Sequence, residues 1–488
     1  MEHQPEQQPE VQEQPPARKA FRINPFIFVI VLFLTATVSA GVTMLALTTG
    51  EEKVVEVIQP VERQEFSKLY DVYDELKSSY YSEFDQEELV NGAINGMVDA
   101  LGDPYSDYMN VDEASQFDES ISSSFQGIGA EIQERNGVIT VVSPIKNSPA
   151  ERAGIMPNDQ ILSVDGEDIR GFSASEAVLL IRGEKGTDVT LTIKRGEAQP
   201  IEVTITRDDI PIETVYVEMM DNGVAHIAIS SFSRNTYQEL LTALEEMEAK
   251  GMTSLLLDVR QNPGGLLDVA IDIASLFVAE GEPILQIEQQ GQAETIPALG
   301  GEKISIPTAV IIDEGSASAS EIIAAALNES ADIPLIGLTT FGKGTVQSVE
   351  DLEDGSNIKL TTAKWLTPDG NWIHEKGVEP DYIVEYPSFA SVAPLDASTE
   401  LSLGLQSEAV TSLEQFMSAL GFESGEQDGR FDEALQQAVM QFQEQNDLEP
   451  TGVVSGETTT ALMDAIRTKL TEEDPQLLKA AELLQTNP

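Results

Sequence analysis

Ser318 stands at the start of a predicted helix, where a serine hydroxyl can act either as a helix cap or as a nucleophile. Residues 308–327 read TAVIIDEGSASASEIIAAAL, a buried strand that runs directly into a helix of small residues. Ser318 and Glu321 have the spacing of a capping box, with Ser318 at the N-cap. Capping is the ordinary role of such a serine. The unpaired N–H groups of the same helix terminus could also hold an oxyanion beside the hydroxyl.

Lys343 follows 25 residues later in the segment FGKGTVQ, between two glycines. Glycine on both sides indicates that the backbone passes close to another part of the chain, which an exposed loop lysine would not require. Burial would lower the pKa of the lysine, and the neutral amine could take a proton from a serine and return it to a leaving amine. Gln347 could fix that amine by a hydrogen bond. For this heptapeptide in isolation, an exposed loop lysine is the simpler interpretation.

Two other patterns lie near these residues. The stretch from Gly337 to Lys343 matches the Gly-x4-Gly-Lys opening of a phosphate-binding loop, but Gly344 stands where a magnesium-binding Ser or Thr should follow, so we reject that alternative. Residues 258–265 read DVRQNPGG, a strand that ends in a Pro-Gly-Gly turn, as expected where backbone N–H groups face a ligand. Many strand-to-helix connections share this pattern.

Composition narrows the functional classes. The 488 residues include 84 acidic and 28 basic ones, a formal net charge of −56, which argues against nucleic acid as a partner. Cysteine is absent, which excludes thiolate nucleophiles, disulfides and Cys-ligated metals. The histidines are His3, His226 and His374, and neither of the last two lies in a motif that suits a Ser-His-Asp triad. No metal or organic cofactor is implied.

The N-terminus predicts a membrane anchor. Residues 1–25 are expected to form a disordered cytoplasmic tail, and residues 26–47 are almost continuously apolar, long enough at about 1.5 Å per residue to cross a bilayer. Basic residues precede this span and Glu51 and Glu52 follow it, so the rest of the chain should lie outside the cytoplasm. The alternative is a cleaved signal peptide, since Val38-Ser39-Ala40 resembles a cleavage site.

The remaining chain alternates between helical and strand-rich stretches, which predicts a multidomain α/β protein. Residues 62–111 have the periodicity of amphipathic helices, whose apolar faces could pack on the next domain or on a second subunit to form a homodimer. Residues 112–197 contain short strands between glycine turns, and 198–390 alternate strands with helices in a layered α/β pattern. A linker over 391–404, a compact helical domain over 405–466 and a loose tail over 467–488 complete the predicted organisation.

With these motifs in order, residues 62–390 resemble the carboxyl-terminal processing peptidases, also called tail-specific proteases. The resemblance rests on DVRQNPGG, EGSASASEI, TFGKGTVQ and AKWLTPDGNWIHEKGVEPD, following a PDZ-like region. It implies a ClpP/crotonase-like protease core and a serine endopeptidase (EC 3.4.21). By position it assigns the nucleophile to Ser318, the general base to Lys343 and the orienting residue to Gln347. The N–H groups of Gly264 and Ala319 would be the oxyanion donors. Composition does not choose Ser318 over Ser316 or Ser320; the family's serine-to-lysine spacing does.

The 112–197 region resembles a PDZ domain, which implies recognition of a protein or peptide with a free C-terminus. Its carboxylate-binding loop would comprise Gly127, Ile128, Gly129 and Ala130, with the peptide added as a strand along residues 130–133. Arg182, the only basic residue near the end of a predicted helix, is a candidate regulatory residue that senses bound peptide.

Residues 405–466 resemble the small helical peptidoglycan-binding repeat, so peptidoglycan is a candidate partner and the enzyme could lie between membrane and wall. The matching positions are mostly core and turn residues, and they name no ligand residue. The alternative function for the whole chain is a catalytically inactive scaffold that uses its PDZ and wall-binding domains.

Overall fold

The computed structural model describes residues 29–30, 33–39, 64–135, 137–196, 198–220 and 223–486. The predicted tail over 1–25 and most of the predicted span over 26–47 lie outside these residues. Within the described ranges, no helix combines the length and apolar character needed to cross a membrane. Contacts along the chain divide it into two units, residues 1–85 and 86–488.

The first unit contains a helix with an exposed apolar side. A 3-10 turn over Gln64–Phe66 leads into α1, Ser67–Ser79, which has no buried residue. Leu69, Tyr70 and Val72 are all exposed. The helical periodicity predicted here is confirmed; the predicted homodimer is not tested.

The second unit opens with α2 (Gln86–Asp99), β1 (Asp107–Met109) and α3 (Val111–Ser122). Asn110 caps α3 by accepting the N–H groups of Asp112 and Glu113. The expectation of an all-helical region over 62–111 is wrong at its end, because β1 pairs with a strand of the protease core about 250 residues later, Asp107 lying opposite Lys359. Such long-range pairing leaves no periodic signal in a three-residue strand.

The strands of the PDZ-like domain follow. They are β2 (Ser124–Gly127), β3 (Ala130–Arg135), β4 (Val138–Pro144), β5 (Gln160–Val164), β6 (Glu167–Asp168), β7 (Asp188–Lys194), β8 (Ile201–Thr206) and β9 (Asp208–Pro211). The main sheet has the order β3-β4-β5-β7-β8, with β6 on β5, and β2 pairs separately with β9. Two helices, α4 (Pro149–Arg152) and α5 (Ala174–Ile181), accompany it. These strands extend to residue 211, beyond the predicted boundary at 197.

The protease core has the predicted alternation of strands and helices. Its strands are β10 (Val215–Met219), β11 (Val224–Ile229), β12 (Ser254–Asp258), β15 (Thr308–Ile312), β16 (Leu335–Gly337) and β19 (Tyr382–Ile383), in that order across one sheet. Only β10 is antiparallel to its neighbour. The helices between them are α6 (Thr236–Ala249), α7 (Leu267–Ala274) and α8 (Ala319–Ala331).

A second sheet of the core contains β13 (Pro283–Gln289), β14 (Gln292–Pro297), β17 (Thr345–Asp351) and β18 (Asn357–Leu366), together with β1. β18 is its hub, because β1, β13 and β17 all pair with it. Val349 lies opposite Lys359 and Gln347 opposite Thr361, so these four residues face the same side of the sheet.

Both faces of the parallel sheet are covered, as strands buried on both sides require. Leu255 and Leu257 of β12 pack in the core that contains α6, α7 and α8. Leu256 points to the opposite face, where it packs with Ala480 and Leu484. Those two residues belong to α12, Pro475–Thr486, the last helix of the chain. The expectation of a loose tail over 467–488 is therefore wrong for its described residues.

The compact helical domain consists of α9 (Glu408–Ala419), α10 (Glu433–Gln445) and α11 (Gly456–Glu472), so its last helix passes the predicted end at 466. Leu395 and Leu401 are buried in its core. Leu401 also pairs with Val454. The stretch over 391–404, expected to be a linker, is thus partly built into this domain, because these two leucines bury apolar surface there.

Candidate active site

Ser318 occupies a strained position at the start of α8. Its φ and ψ are 54° and −111°, whereas N-cap residues are normally extended. Its N–H donates to Glu321 Oε2 at 2.8 Å, which is the glutamate half of the predicted capping box. The residue lines a cleft of about 570 Å³. Positive φ strains a residue with a Cβ, so this serine departs from an ordinary helix cap.

The two neighbouring serines are placed differently. Ser316 and Ser320 are both fully buried. Ser316 Oγ donates to the Val259 carbonyl at 2.8 Å, and Ser320 Oγ donates to the Asn262 carbonyl at 2.8 Å. Their hydroxyls hold the turn together, and of the three serines only Ser318 lines the cleft.

Lys343 lines the same cleft, on a loop that packs as the flanking glycines predicted. A Cβ at Gly342 would lie 2.9 Å from the backbone nitrogen of Lys376, and one at Gly344 would lie 2.8 Å from the backbone nitrogen of His374. Trp365 Nε1 donates to the Lys343 carbonyl at 2.8 Å. The glycines are therefore required by the close approach of residues 372–377.

The electrostatic environment of the Lys343 ammonium disfavours its charge. Burial lowers its pKa below the ordinary lysine value, and the positive charge of Lys359 lowers it further, whereas Glu321 and Asp103 act in the opposite direction. The amine lies 5.1 Å from the centre of the Tyr105 ring. Among the described residues, no hydrogen bond joins this amine to Ser318 Oγ.

Glu321 joins the serine and lysine segments. Its Oε2 accepts the N–H groups of Ser318 and Lys343, both at 2.8 Å. Its Oε1 accepts the Gly342 N–H at 2.7 Å and the Thr340 hydroxyl at 2.5 Å. The carboxylate is fully buried. The sequence indicated only the contact with Ser318, because a capping box is local and the other three donors come from a distant loop.

The predicted oxyanion donors lie beside Ser318. A Cβ at Gly264 would come within 2.8 Å of Ser318 Cβ and 3.0 Å of the Ala319 nitrogen. Ala319 is in the first turn of α8, where helix geometry supplies no partner for its N–H. The Gly264 N–H, however, donates to Asn262 Oδ1 at 2.9 Å. Gly265, which the sequence analysis did not single out, lines the cleft.

Gln347 also lines the cleft, and among the described residues no hydrogen bond joins it to the Lys343 side chain. Its Nε2 donates to Thr345 Oγ1 at 3.0 Å and to Thr361 Oγ1 at 3.2 Å. Both threonines lie on the paired strands β17 and β18, which fix the orientation of the amide. Its predicted role in orienting the lysine stays a prediction.

The rest of the cleft is apolar, with charges at a few positions. Apolar side chains come from α3, the turn after β12, α8, β17 and β18: Phe117, Ile121, Leu266, Ile322, Val349 and Trp365. Asp118, Asp351 and Lys359 add charge to the lining. Neither His226 nor His374 lines the cleft, and their places are structural: His226 Nε2 pairs with Asp258 Oδ2 at 3.0 Å, and His374 stacks on Trp372.

The predicted peptide-binding loop lies at the entrance to β3, which is an edge strand. Ile128 and Gly129 use their carbonyl oxygens to accept the N–H groups of Ala150 and Ile145. Their own N–H groups make no hydrogen bond among the described residues. A Cβ at Gly129 would lie 2.4 Å from Ser148 Cβ, so only glycine fits there. An edge strand that begins at N–H groups without a hydrogen-bond partner among the described residues can accept a peptide as an added strand.

Arg182 connects this domain to the cleft. It ends α5, and its Nη1 pairs with Glu119 Oε2 at 2.9 Å. Its guanidinium also lies 4.9 Å from the centre of the Phe125 ring. Glu119 belongs to α3, the helix whose Phe117 and Ile121 line the cleft. The sequence contained no signal for this contact, because α3 was assigned to the PDZ-like region without a partner.

Comparison with known proteins gives four matching families. Residues 223–384 match peptidase family S41, 119–194 match the PDZ domain, 406–462 match a peptidoglycan binding domain, and 35–113 match the N-terminal domain of the activating protease CtpB. The match to family S41 contains Gly264, Ser318, Lys343 and Gln347.

Two curated relatives align with nearly the whole chain. The carboxy-terminal processing protease CtpA of Bacillus subtilis is 45% identical over 94% of this chain and 98% of its own length. The carboxy-terminal processing protease CtpB of the same organism is 41% identical over 93% and 97%. Among solved structures, the photosystem II D1 C-terminal processing protease is 27% identical over 67% of this chain and 88% of its own, with a TM-score of 0.39. The chain is a serine protease that carries a PDZ domain. It belongs to the carboxy-terminal processing proteases of peptidase family S41.

Proposed function

We propose that this carboxy-terminal processing protease is a membrane-anchored extracytoplasmic endopeptidase in which Ser318 is the nucleophile and Lys343 the general base. The observation that carries this proposal is the joint position of the two residues in one cleft, on segments bridged by the Glu321 carboxylate. The burial of Ser316 and Ser320 supports the choice of Ser318. The lowered pKa of Lys343 supports its role as a base, since only the neutral amine can accept a proton.

In this mechanism Ser318 Oγ attacks the carbonyl carbon of the scissile peptide bond while Lys343 Nζ removes the hydroxyl proton. Lys343 then gives that proton to the leaving amine, and an ester remains on the serine. Water, deprotonated by the same lysine, hydrolyses the ester. For the first step Nζ, which lies 5.1 Å from the centre of the Tyr105 ring, must come within hydrogen-bonding distance of Oγ.

The oxyanion would be held by the Ala319 N–H and by the turn over 264–265. Because the Gly264 N–H is bonded to Asn262 Oδ1, its use requires that the 263–264 peptide turn towards the cleft when substrate binds. Gln347 would orient Lys343 once its amide turns from Thr345 and Thr361 towards the lysine amine. These roles are the ones that the family resemblance assigns by position.

Substrate tails would bind to the PDZ domain. The free N–H groups of Ile128 and Gly129 would hold the terminal carboxylate, and the tail would extend along β3. Arg182 is the candidate regulatory residue, since peptide bound near its side chain would compete with its pair to Glu119 on α3.

The sequence supports anchoring of the chain in the membrane and binding of its C-terminal domain to the cell wall. The apolar stretch over 26–47 follows basic residues, which favours a single span with residues beyond 51 outside the cytoplasm. Peptidoglycan is the proposed ligand of the C-terminal domain, where a polar groove is lined by Gln437, Gln441 and Gln445. Amides at helical spacing can bond to sugar hydroxyls and stem peptides. The exposed apolar residues of α1 are consistent with a homodimer.

The decisive test replaces Ser318 by alanine. We expect cleavage of an unfolded, fluorescein-labelled reporter protein with a free C-terminus to fall about 10⁴-fold or more, because no nucleophile remains. Ser348→Ala, an exposed serine of β17 outside the cleft lining, is the matched control and should retain full activity. Wild-type rates in Ser318→Ala would reject the assignment. An inactive wild-type protein that still binds C-terminal peptides would favour the scaffold alternative.

A further inference from the structure

The last helix of the chain belongs structurally to the protease core. The compact domain over 406–462 separates α12 from the core in sequence, yet Ala480 and Leu484 of α12 pack on Leu256, Ala309 and Ile311 of the catalytic sheet. Both residues are buried. The chain therefore returns to the protease core after completing another domain.

The start of α12 is tied to the core by a buried ion network. Arg260 donates from Nε and Nη2 to both carboxylate oxygens of Asp258, at 2.9 and 2.6 Å. Its Nη1 donates to Asp474 Oδ2 at 2.6 Å and to Gln476 Oε1 at 3.0 Å. The three charged side chains are only 8–12% exposed. Two carboxylates from distant parts of the sequence thus surround one guanidinium.

Arg260 directly precedes the turn that flanks Ser318. Gln261, with a φ of 52°, donates its N–H and its side-chain amide to Asp313, at 2.9 and 2.7 Å. The Asn262 carbonyl accepts the Ala317 N–H at 3.0 Å. The Asn262 side chain in turn holds the Gly264 N–H. A shift of Arg260 would be transmitted through these bonds to the residues on both sides of the nucleophile.

We propose that Asp474 and Gln476 are positioning residues for catalysis, which hold Arg260 and through it the turn over 261–265 beside Ser318. This inference rests on the proposed role of Ser318. It assigns to the C-terminal segment a function in the reaction, and it couples the domain over 406–462 to the active site through α12.

The charge of Asp474 can be removed while its second role, capping the start of α12, is kept. Asp474 Oδ1 caps α12 by accepting the N–H groups of Gln476 and Leu477, at 2.9 and 3.1 Å. Asparagine caps helices as well as aspartate does, so Asp474→Asn can keep its Oδ1 on the cap, whereas the NH2 group that replaces Oδ2 cannot accept the hydrogen bond from Arg260.

The experiment compares kcat and KM of full-length Asp474→Asn with those of the unmodified protein, on the labelled reporter and corrected for the folded fraction. We expect kcat to fall about tenfold with KM unchanged, because the displaced turn impairs the reaction and leaves tail binding intact. Glu473→Gln is the matched control: the neighbouring residue pairs with Lys469 at 2.7 Å and is 60% exposed, so its kcat should not change.

The outcomes separate the two claims. An unchanged kcat in Asp474→Asn, with Ser318→Ala inactive, would overturn the positioning role alone. Full activity of Ser318→Ala would reject the proposed function itself. If Asp474→Asn does not fold, Gln476→Met decides, since it removes the hydrogen bond to Arg260 together with the one from Gln476 Nε2 to the Val384 carbonyl. It should lower kcat, and a normal kcat in this folded variant would overturn the inference.

Discussion

Two buried cations of the protease core, Lys343 and Arg260, differ in their partners. Burial lowers the pKa of Lys343, with Lys359 acting in the same direction. Burial also disfavours the Arg260 charge, but hydrogen bonds and the charges of Asp258 and Asp474 raise its pKa above the ordinary value. The pKa of Asp258, raised by burial, is lowered to about 2 by His226 and Arg260. The ion network stays charged and structural, whereas the lysine is prepared to lose its proton.

Burial disfavours the charge of both side chains, but their partners decide whether that charge is kept. A buried cation with two carboxylates in contact holds distant segments together, and removing any member leaves an uncompensated charge. A buried cation without such contacts is available for proton transfer. Glu321 illustrates the distinction, because its Oε2 binds the backbone N–H of Lys343, and among the described residues the amine forms no ion pair.

The largest expected effect comes from making Lys343 permanently charged. Lys343→Arg keeps the positive group, but a guanidinium cannot deprotonate in a protein. We expect kcat/KM for the reporter protein to fall about 10²–10⁴-fold at every pH. Lys250→Arg changes an exposed lysine directly after α6; it is the control and should retain activity. Activity in Lys343→Arg that recovers at high pH would show that another group is the base.

Removing the other cation should affect stability. Arg260→Met leaves Asp474 buried without its cation and Asp258 with only His226, and we expect the free energy of unfolding of the core to fall by about 3–5 kcal/mol. Denaturant unfolding followed by tryptophan fluorescence measures this, because Trp365 and Trp372 are the only tryptophans. Lys250→Met breaks an exposed pair with Glu246 and should change that free energy by less than about 1 kcal/mol. Equal losses in both variants would refute the distinction drawn between the two cations.

A smaller effect should separate the electrostatic contributions to Lys343. The charged and titratable groups that influence it are Lys359, Glu321 and Asp103, with the Tyr105 ring beside the amine. Lys359→Gln removes a positive charge, so the pKa of Lys343 should rise. Since the base acts when neutral, the rising limb of kcat/KM against pH should move to higher pH by a fraction of a unit.

Lys364→Gln provides the control for that profile. Lys364 lies on the same strand as Lys359, but its ammonium is over the Trp372 ring at 4.3 Å and outside the cleft lining. Its replacement should leave the limb in place. A limb that stays in place or moves to lower pH in Lys359→Gln would contradict the stated effect of Lys359 on the base.

Much of the protease core was predictable because its signals are local. Strands such as 308–312 are largely apolar runs bounded by turns, and the alternation of strands with helices predicted over 198–390 is present. The glycines beside Lys343 predicted a close backbone approach, which the structure contains. The assignment of Ser318, by contrast, depended on family spacing, since three nearby serines look alike in sequence.

The parts that escaped prediction depend on contacts between distant residues. Glu321 was recognised only as a capping residue, although three of its donors lie on the Lys343 loop. Tyr105 reaches the cleft from the predicted helical region over 62–111, and α3 reaches it from the predicted PDZ region. The helix α12 was expected to be part of a loose tail, because the sheet residues on which Ala480 and Leu484 pack lie far earlier in the chain and leave no local signal.

The docking of α12 also bears on self-processing. Under the proposed function, extended segments would bind along β3, and the segment over 475–486 could in principle do so itself. Its helical structure stands against this, because the backbone groups in the middle of α12 are bonded within the helix and cannot add as a strand to β3. Binding along β3 would first require that Ala480 and Leu484 leave the sheet and that the helix unwind. While α12 stays docked on the catalytic sheet, this segment cannot bind to the PDZ domain as an added strand.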